Sequence, residues 1–414
     1  MNEAMENTVS EKRELWLALA MYPIAYIYTL IAGPRGQLWF GIFVLLFAAA
    51  VEYLNHDVPR TGESWVWLGC IAVITASVSF GWGSVWDCGV SMLFVHALAV
   101  WWVLCRSGKL LERESGHLLP VDAFNALLRI PFGSFFLRVR VLTDGLRGER
   151  QETKKRSVAA AAAAICLGAL LLVWVSDSLA SADEGFGRLA DGILAFLTPS
   201  LRSRGVEYLM RFILSLPIAA WLYGLIAGAR QADRTQLDRQ AERAEEGLRH
   251  LRVVPSKVWT GCMALFVLVY ALFFAVQGSY LFGAFFRRLP EGFIVSQYAR
   301  QGFFELCRVM AINLALLWLV TRTGTRPIRE SRTGTVMCTL LLACGMLLAV
   351  VALSKLGLYI SCFGFTPKRL MSCYLAAVLL AGSGAATYTL WSGKKSFRAW
   401  LMFAAIALAA LHLV

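Results

Sequence analysis

Residues Thr335–Leu356 read TVMCTLLLACGMLLAVVALSKL. A bilayer core of about 30 Å is crossed by about 20 mainly apolar helical residues, so this stretch is long enough to span one. Its apolar character is continuous. A strand of a membrane barrel would instead alternate over segments of about ten residues. The reading is therefore a membrane helix, and the same ruler applied outward finds about eleven.

The candidates are Leu15–Ala32, Leu38–Leu54, Trp65–Phe80, Val85–Cys105, Ser157–Leu179, Val206–Ala229, Val258–Phe282, Gly302–Thr321, Thr335–Leu356, Leu370–Trp391 and Trp400–Val414. The third and the last are the shortest. Composition agrees, with 58% hydrophobic and 16% charged residues in 414. Soluble domains run at about 45–50% and about 25%. A disordered chain, a disulfide-stapled secreted module and a fibre are excluded on the same grounds. The first span has a long apolar run and no small-residue cleavage site before Gly33-Pro34-Arg35, so it reads as a retained helix. The expected fold is an all-α polytopic bundle.

Basic residues orient it. With the N-terminus inside, inner segments carry 28 Lys and Arg and outer segments 10, counting Lys355 among the latter; Arg211 and Arg308 lie within spans. This asymmetry is the positive-inside pattern of a multi-pass protein with its N-terminus inside and its C-terminus outside. The net charge of +13 is thereby mostly topology, and a nucleic-acid partner is not expected. The cysteines, among them Cys70, Cys166, Cys262, Cys307, Cys338 and Cys344, fall in or beside spans without metal spacing, and read as small buried hydrophobes.

Two basic segments divide the chain. Residues 1–105 form a four-helix membrane segment, 106–156 a connector, and 157–414 a membrane region of about seven helices. Within the connector, Val121–Leu142 sets Phe124, Leu127, Leu128, Phe132, Phe135 and Phe136 among Arg129, Arg138 and Arg140, an amphipathic pattern suited to the inner interface. Residues 230–252 form a charged helix with Leu237, Ala241, Ala244, Leu248 and Leu251 on a short stripe, and Glu245 and Arg249 at i,i+4. That stripe is expected to pack on the protein's own inner face, with self-association or a cytoplasmic protein partner as the alternative. Phe186–Leu201 is a second amphipathic stretch, on the outer side.

Ionisable groups at bilayer depth cost at least about 2.5–3.5 kcal/mol each and mark candidate sites. The densest set is YARQGFFELCR over Tyr298–Arg308. Glu305 and Arg308 are at i,i+3, Asn313 lies just beyond, and Tyr298 and Arg300 stand at the outer mouth. A buried Glu305–Arg308 pair accepting an anionic group is one reading, and a neutralised pair that fixes packing is the other. YISCFGFTPKR over Tyr359–Arg369 forms a second outer cluster. There Gly364 permits a tight turn, Thr366 is an N-cap candidate, Pro367 starts a helix, and Arg369 joins the basic mouth. Among weaker sites, Asp87 and His96 fall on opposite faces, Glu52 and His56 are one turn apart at a hydrated helix end, and Glu207 with Arg211 forms an i,i+4 snorkelling pair. His117 and Asp122 match the H-x4-D of glycerolipid acyltransferases, in which the carboxylate orients a general base. The match rests on two residues, and no phosphate motif follows on the same side. Nucleotide, hydrolase and metalloprotease motifs are missing, so no cofactor or metal is expected.

Pro290–Phe293, the Y-A-R-x-G-F-F-E-L motif over Tyr298–Leu306 and the G-F-T-x-x-R motif over Gly364–Arg369 together resemble a widespread bacterial family of multi-spanning membrane proteins classified only as a domain of unknown function. The resemblance covers Gln277–Tyr374. It singles out Tyr298, Arg300, Gly302, Phe304, Glu305, Tyr359, Gly364, Thr366 and Arg369, and it implies no reaction, substrate or cofactor. Phe363 stands where relatives often carry a second Tyr. The leading functional expectation is binding or translocation of an anionic or lipid-like solute near Glu305, Arg308, Arg300 and Arg369. The alternative is a membrane scaffold or signalling partner acting through its cytoplasmic basic segments.

Overall fold

The computed structural model describes residues 2–82, 87–145, 204–282 and 303–413. Helices in chain order are α1 (Asn2–Thr29), α2 (Gly36–Leu54), α3 (Gly62–Phe80), α4 (Cys88–Arg106), α5 (Leu119–Phe124), α6 (Ile130–Gly133), α7 (Leu137–Gly145), α8 (Arg204–Gln231), α9 (Arg234–His250), α10 (Ser256–Phe282), α11 (Phe303–Thr323), α12 (Arg332–Phe363), α13 (Pro367–Ser392) and α14 (Phe397–Leu411). A π-helical turn, Asn125–Arg129, joins α5 to α6. The sole β pairing among the described residues is an isolated bridge between Val254 and Gly324.

Nine of these helices are long and apolar enough to cross a membrane: α1 to α4, α8, and α10 to α13. Each falls on an expected span. The fifteen-residue α14 covers the short last candidate. The expected span Ser157–Leu179 and the amphipathic Phe186–Leu201 lie outside the described residues. Local chemistry sets the helix ends. Thr61 caps α3 by accepting from Ser64 N at 3.2 Å, and Ser331 caps α12 by accepting from Gly334 N at 3.1 Å. Gly81 ends α3 at φ +66°, where a Cβ would be strained. Thr61 thus starts α3 one turn before the expected span.

The contacts divide the chain into two units assembled from non-contiguous stretches. The first comprises Met1–Arg60, Val100–Lys109 and Ala123–Ala232. Its polar end gathers the start of α1 with the ends of α2, α4 and α8. Arg106, almost wholly buried, donates to Glu52 Oε1 (3.0 Å) and to the carbonyls of Val58 (2.9 Å) and Asn55 (2.5 Å). A guanidinium there neutralises one carboxylate and satisfies carbonyls left open at the C-terminus of α2. Arg230 pairs with Asp57, Lys109 donates to the Ala232 carbonyl at 2.6 Å, and Gln231 donates to Glu14 at 3.0 Å. Four segments that the basic-residue bias assigns to one side of the membrane therefore meet at one end. Glu52 also takes Arg60 at 2.9 Å, while His56 faces Arg13 at 3.0 Å, so Glu52 and His56 do not form a relay.

The connector is seated on α8 in this unit. Gly224 and Gly228 leave a groove in which the Pro131 carbonyl and the Ser134 side chain lie; a Cβ on Gly224 would stand 2.6 Å from Pro131 O. Spacing of this kind lets backbones approach closely in membranes. Arg138 is buried and donates to the Ala18 carbonyl at 2.9 Å. Gly224 precedes Arg230 by six positions, so the connector sits about 9 Å inside the polar end of α8. Phe124, Leu127, Leu128, Phe132 and Phe136 remain exposed on this segment.

The second unit comprises Thr61–Ala99, Leu110–Asp122 and Asp233–Val414. Its core is the packing of α10, α11, α12 and α13 around Met310, Leu341, Leu342, Leu348, Ala349 and Ala352. Its polar end is a hydrogen-bonded platform. Glu63, in the first turn of α3 and 2% exposed, accepts from Trp67 Nε1 (3.0 Å), from Ser115 N (3.3 Å) and Oγ, and pairs with Arg398 Nε (3.1 Å). Arg398 also pairs with Glu114 at 2.6 Å.

The groove on α8 gives a direct test. Gly224→Leu would overpack it, and we expect a loss of about 1–3 kcal/mol, read as a lower melting temperature of the detergent-solubilised protein. Gly247→Ala on α9 meets open space and should leave the melt unchanged or raise it. Equal melts for Gly224→Leu and wild type would show that the connector does not depend on the groove.

Candidate functional site

The expected site residues separate into three groups. Tyr298 and Arg300 lie outside the described residues. Glu305 and Arg308 belong to α11, whose buried stripe is Phe303, Leu306, Cys307, Met310, Asn313, Leu317 and Val320. Positions 305 and 308 fall off that 3.6-residue stripe, so both side chains are exposed, and no ion pair joins them. The expectation of a buried, closed pair is thus corrected: i,i+3 spacing makes two side chains neighbours but does not choose which face of the helix is buried.

Asn313 is on the stripe and 1% exposed. Its Oδ1 accepts from Tyr270 Oη on α10 at 2.7 Å, while its Nδ2 has no partner among the described residues. Gly345 on α12 makes the space for that amide, since a Cβ there would lie 3.1 Å from Nδ2. Ten positions along α12, about 15 Å, Lys355 is 1% exposed. By sequence Lys355 stands in the last turn of the expected span and counts among the outer basic residues. The structure extends α12 to Phe363 and encloses the ammonium instead. Neither Tyr270 nor Lys355 was among the expected site residues. The signal was a single cation close to the end of an otherwise apolar run.

The second cluster is brought together and turns out to build the α12–α13 hairpin. Arg369 stacks on the Tyr359 ring, 4.1 Å from guanidinium carbon to centroid, and lies 5.9 Å from that of Phe363. It donates to the Phe363 carbonyl at 2.9 Å and to that of Gly364. Gly364 turns the chain at φ +74°. Thr366 holds the N-cap position with extended backbone, and its carbonyl accepts from Arg369 N at 3.0 Å, but its hydroxyl makes no capping bond. Pro367 follows at the first helical position, as expected. The spacing of Tyr, Gly and Arg is explained by this closure: the Arg reaches back one turn to satisfy the last carbonyls of α12 and to cover its aromatic ring.

The remaining sequence candidates resolve simply. Asp87, just before α4, accepts from Gly89 N at 2.8 Å, and His96 on α4 contacts the Met92 carbonyl at 2.7 Å, so the two do not pair. Glu207 and Arg211 pair as expected, and Arg211 also reaches the Thr29 carbonyl at 3.2 Å. His117 and Asp122 form no dyad. The imidazole faces Glu112 and Glu245, whereas Asp122 Oδ1 accepts from Leu111 N at 3.0 Å. The general-base geometry of an acyltransferase is therefore not built here. Glu245 meets His117 across the platform rather than Arg249 on its own helix, while Arg234 pairs with Asp238 at 2.8 Å. Cys70, Cys105, Cys307 and Cys338 are buried as small apolar side chains.

A bundle of long apolar helices with its charges gathered at the ends defines a multi-pass α-helical membrane protein. The chain belongs to the family described as domain of unknown function DUF4153, whose model matches residues 64–414. No curated protein and no solved structure matches it. The family match extends far beyond the Gln277–Tyr374 stretch on which the resemblance rested, from the first turn of α3 onward.

The hairpin closure predicts that Arg369→Ala lowers stability by about 1 kcal/mol, the scale of an exposed cation–π contact with its neighbouring carbonyl bonds. Arg369→Lys should recover only part of it, because an ammonium lacks the planar fork that stacks and donates together. Thermal melts of both variants check this; full recovery by Lys would rule out the stacking account.

Proposed function

We propose that this protein binds, and lets pass, an anionic or lipid-like solute in the membrane layer of its second unit, with its basic side toward the cytoplasm of a bacterial inner membrane. The observation that carries the reading is the enclosure of Lys355, a cation held inside a membrane-spanning helix. Intramembrane ionisable groups are costly and mark ligand or ion pathways. The other polar groups of the same helices favour an anion too. Asn313 has an amide N–H open among the described residues at mid-span, and Arg308, on the exposed face of α11, adds a guanidinium nearer the mouth. These groups donate hydrogen bonds and suit phosphate or carboxylate oxygens. In this reading Glu305 tunes the mouth, Tyr298 and Arg300 belong to it, and Tyr359, Thr366 and Arg369 hold the hairpin in place.

A second reading, a scaffold acting through the basic segments, is favoured by one observation. Helix α9 is anchored to the platform by Arg234 and Glu245, which leaves Arg239, Glu242, Arg243, Glu246 and Arg249 exposed for a partner.

Mass spectrometry of compounds retained by the protein in lipid nanodiscs tests the first reading. Wild type should retain an anionic compound that Lys355→Met and Asn313→Leu each reduce about tenfold, the scale of one charge-assisted hydrogen bond. No retained anion, or equal retention by wild type and both variants, overturns it. An outer mouth that reaches neither residue from water would do the same.

A further inference from the structure

The platform of the second unit holds an imidazole between two carboxylates from different parts of the chain. His117 Nδ1 stands 3.1 Å from Glu112 Oε2, and Nε2 stands 2.7 Å from Glu245 Oε1 on α9. A carboxylate only accepts hydrogen bonds, and a neutral imidazole has one N–H to donate. Both contacts are satisfied together only by the doubly protonated ring. We propose that His117 is a pH-operated latch, fixing α9 to the Leu110–Asp122 segment when its ring carries two protons and loosening it when the ring carries one.

The charged groups around the latch are Glu112, Glu245, Lys395, Arg234 and Asp122, with Glu114 engaged by Arg398 beside them. Lys395 donates to Glu112 Oε1 at 2.7 Å. Burial raises the Glu112 carboxyl, but the Lys395 hydrogen bond, the charges of His117 and Lys395 and the Leu118 N–H together hold it below its ordinary range. Glu112 is thereby kept as an acceptor facing the imidazole. Gly116 keeps this contact open, since a Cβ there would collide with the Glu112 carboxylate. Beneath the latch, Arg234 of α9 donates to the carbonyls of Leu110 (2.6 Å) and Leu111 (2.9 Å). Asp122 accepts from Leu111 N through one oxygen, and its buried Oδ2 has no partner. Burial first, then the charge of Glu112, pushes the Asp122 carboxyl up to about 7, against the Leu111 N–H and Arg234. A carboxyl raised in the folded state stabilises it when protonated. That contribution is complete below the ordinary Asp value of 3.8 and is lost as pH rises through about 7. His117 and Asp122 thus act in the same sense. The latch is closed when the ring carries both protons and opens when it gives one up.

Hydrogen exchange of the α9 amides in the full-length protein, corrected for intrinsic rates, reads the latch. Protection in wild type should fall about tenfold between about pH 6 and about pH 8.5. His117→Gln should show low protection at both values, and Gly116→Ala, which displaces Glu112 without altering a titratable group, should flatten the response likewise. Protection of α12 reports global unfolding and separates it from release of α9. If His117→Gln lowers α12 as well, Gly116→Ala decides. Equal wild-type protection at the two pH values, or a variant with α12 intact that keeps the wild-type fall, overturns the proposal.

Discussion

In the hydrocarbon layer no water is available to a backbone N–H or C=O, so each must be paired within its own segment. This constraint accounts for the long helices of both units and for the concentration of hydrogen-bonding side chains where those helices end. Arg106 shows the consequence. It is buried at the end of α4 because the carbonyls of Asn55 and Val58 and the carboxylate of Glu52 all need a donor there. Removing the guanidinium would leave those acceptors buried and open, which is more costly than the bonds themselves.

The same requirement turns short loops into built structures. The hairpin between α12 and α13 is closed by one arginine that satisfies two carbonyls and covers a tyrosine ring. At the polar end of the second unit, Glu63 uses three kinds of donor: an indole, a backbone amide with its hydroxyl, and a guanidinium. Buried carboxylates are tolerated when partnered in this way. Asn313 and Asp122 differ, since each keeps one buried polar atom without a partner among the described residues.

Much of the architecture was legible as pattern. Apolar runs of bilayer length located the long helices, and Gly364 and Pro367 marked a turn and a helix start. The candidate site was less legible. Glu305 and Arg308 were expected inside because they share a helix turn, yet the buried stripe of α11 runs through Asn313 and leaves them outside. Lys355 falls in the last turn of the expected span and counts with the outer basic residues, but the helix continues past it for two turns. His117 was noticed for Asp122, five residues away, when its partners are Glu112 and Glu245.

By itself the sequence determined the solvent, the helical class and the approximate limits of the spans. These depend on composition and on hydrogen bonds between residues four apart, which local sequence contains. Only the tertiary structure decided which face of each helix is buried, that Lys355 is enclosed, that the connector rests in the Gly224–Gly228 groove, and that Glu245 meets His117. Those outcomes come from packing between residues as many as 128 positions apart. In a membrane the lipid is as apolar as a helix side chain, so hydrophobicity does not say which side turns inward, and close packing and the pairing of polar groups make that choice.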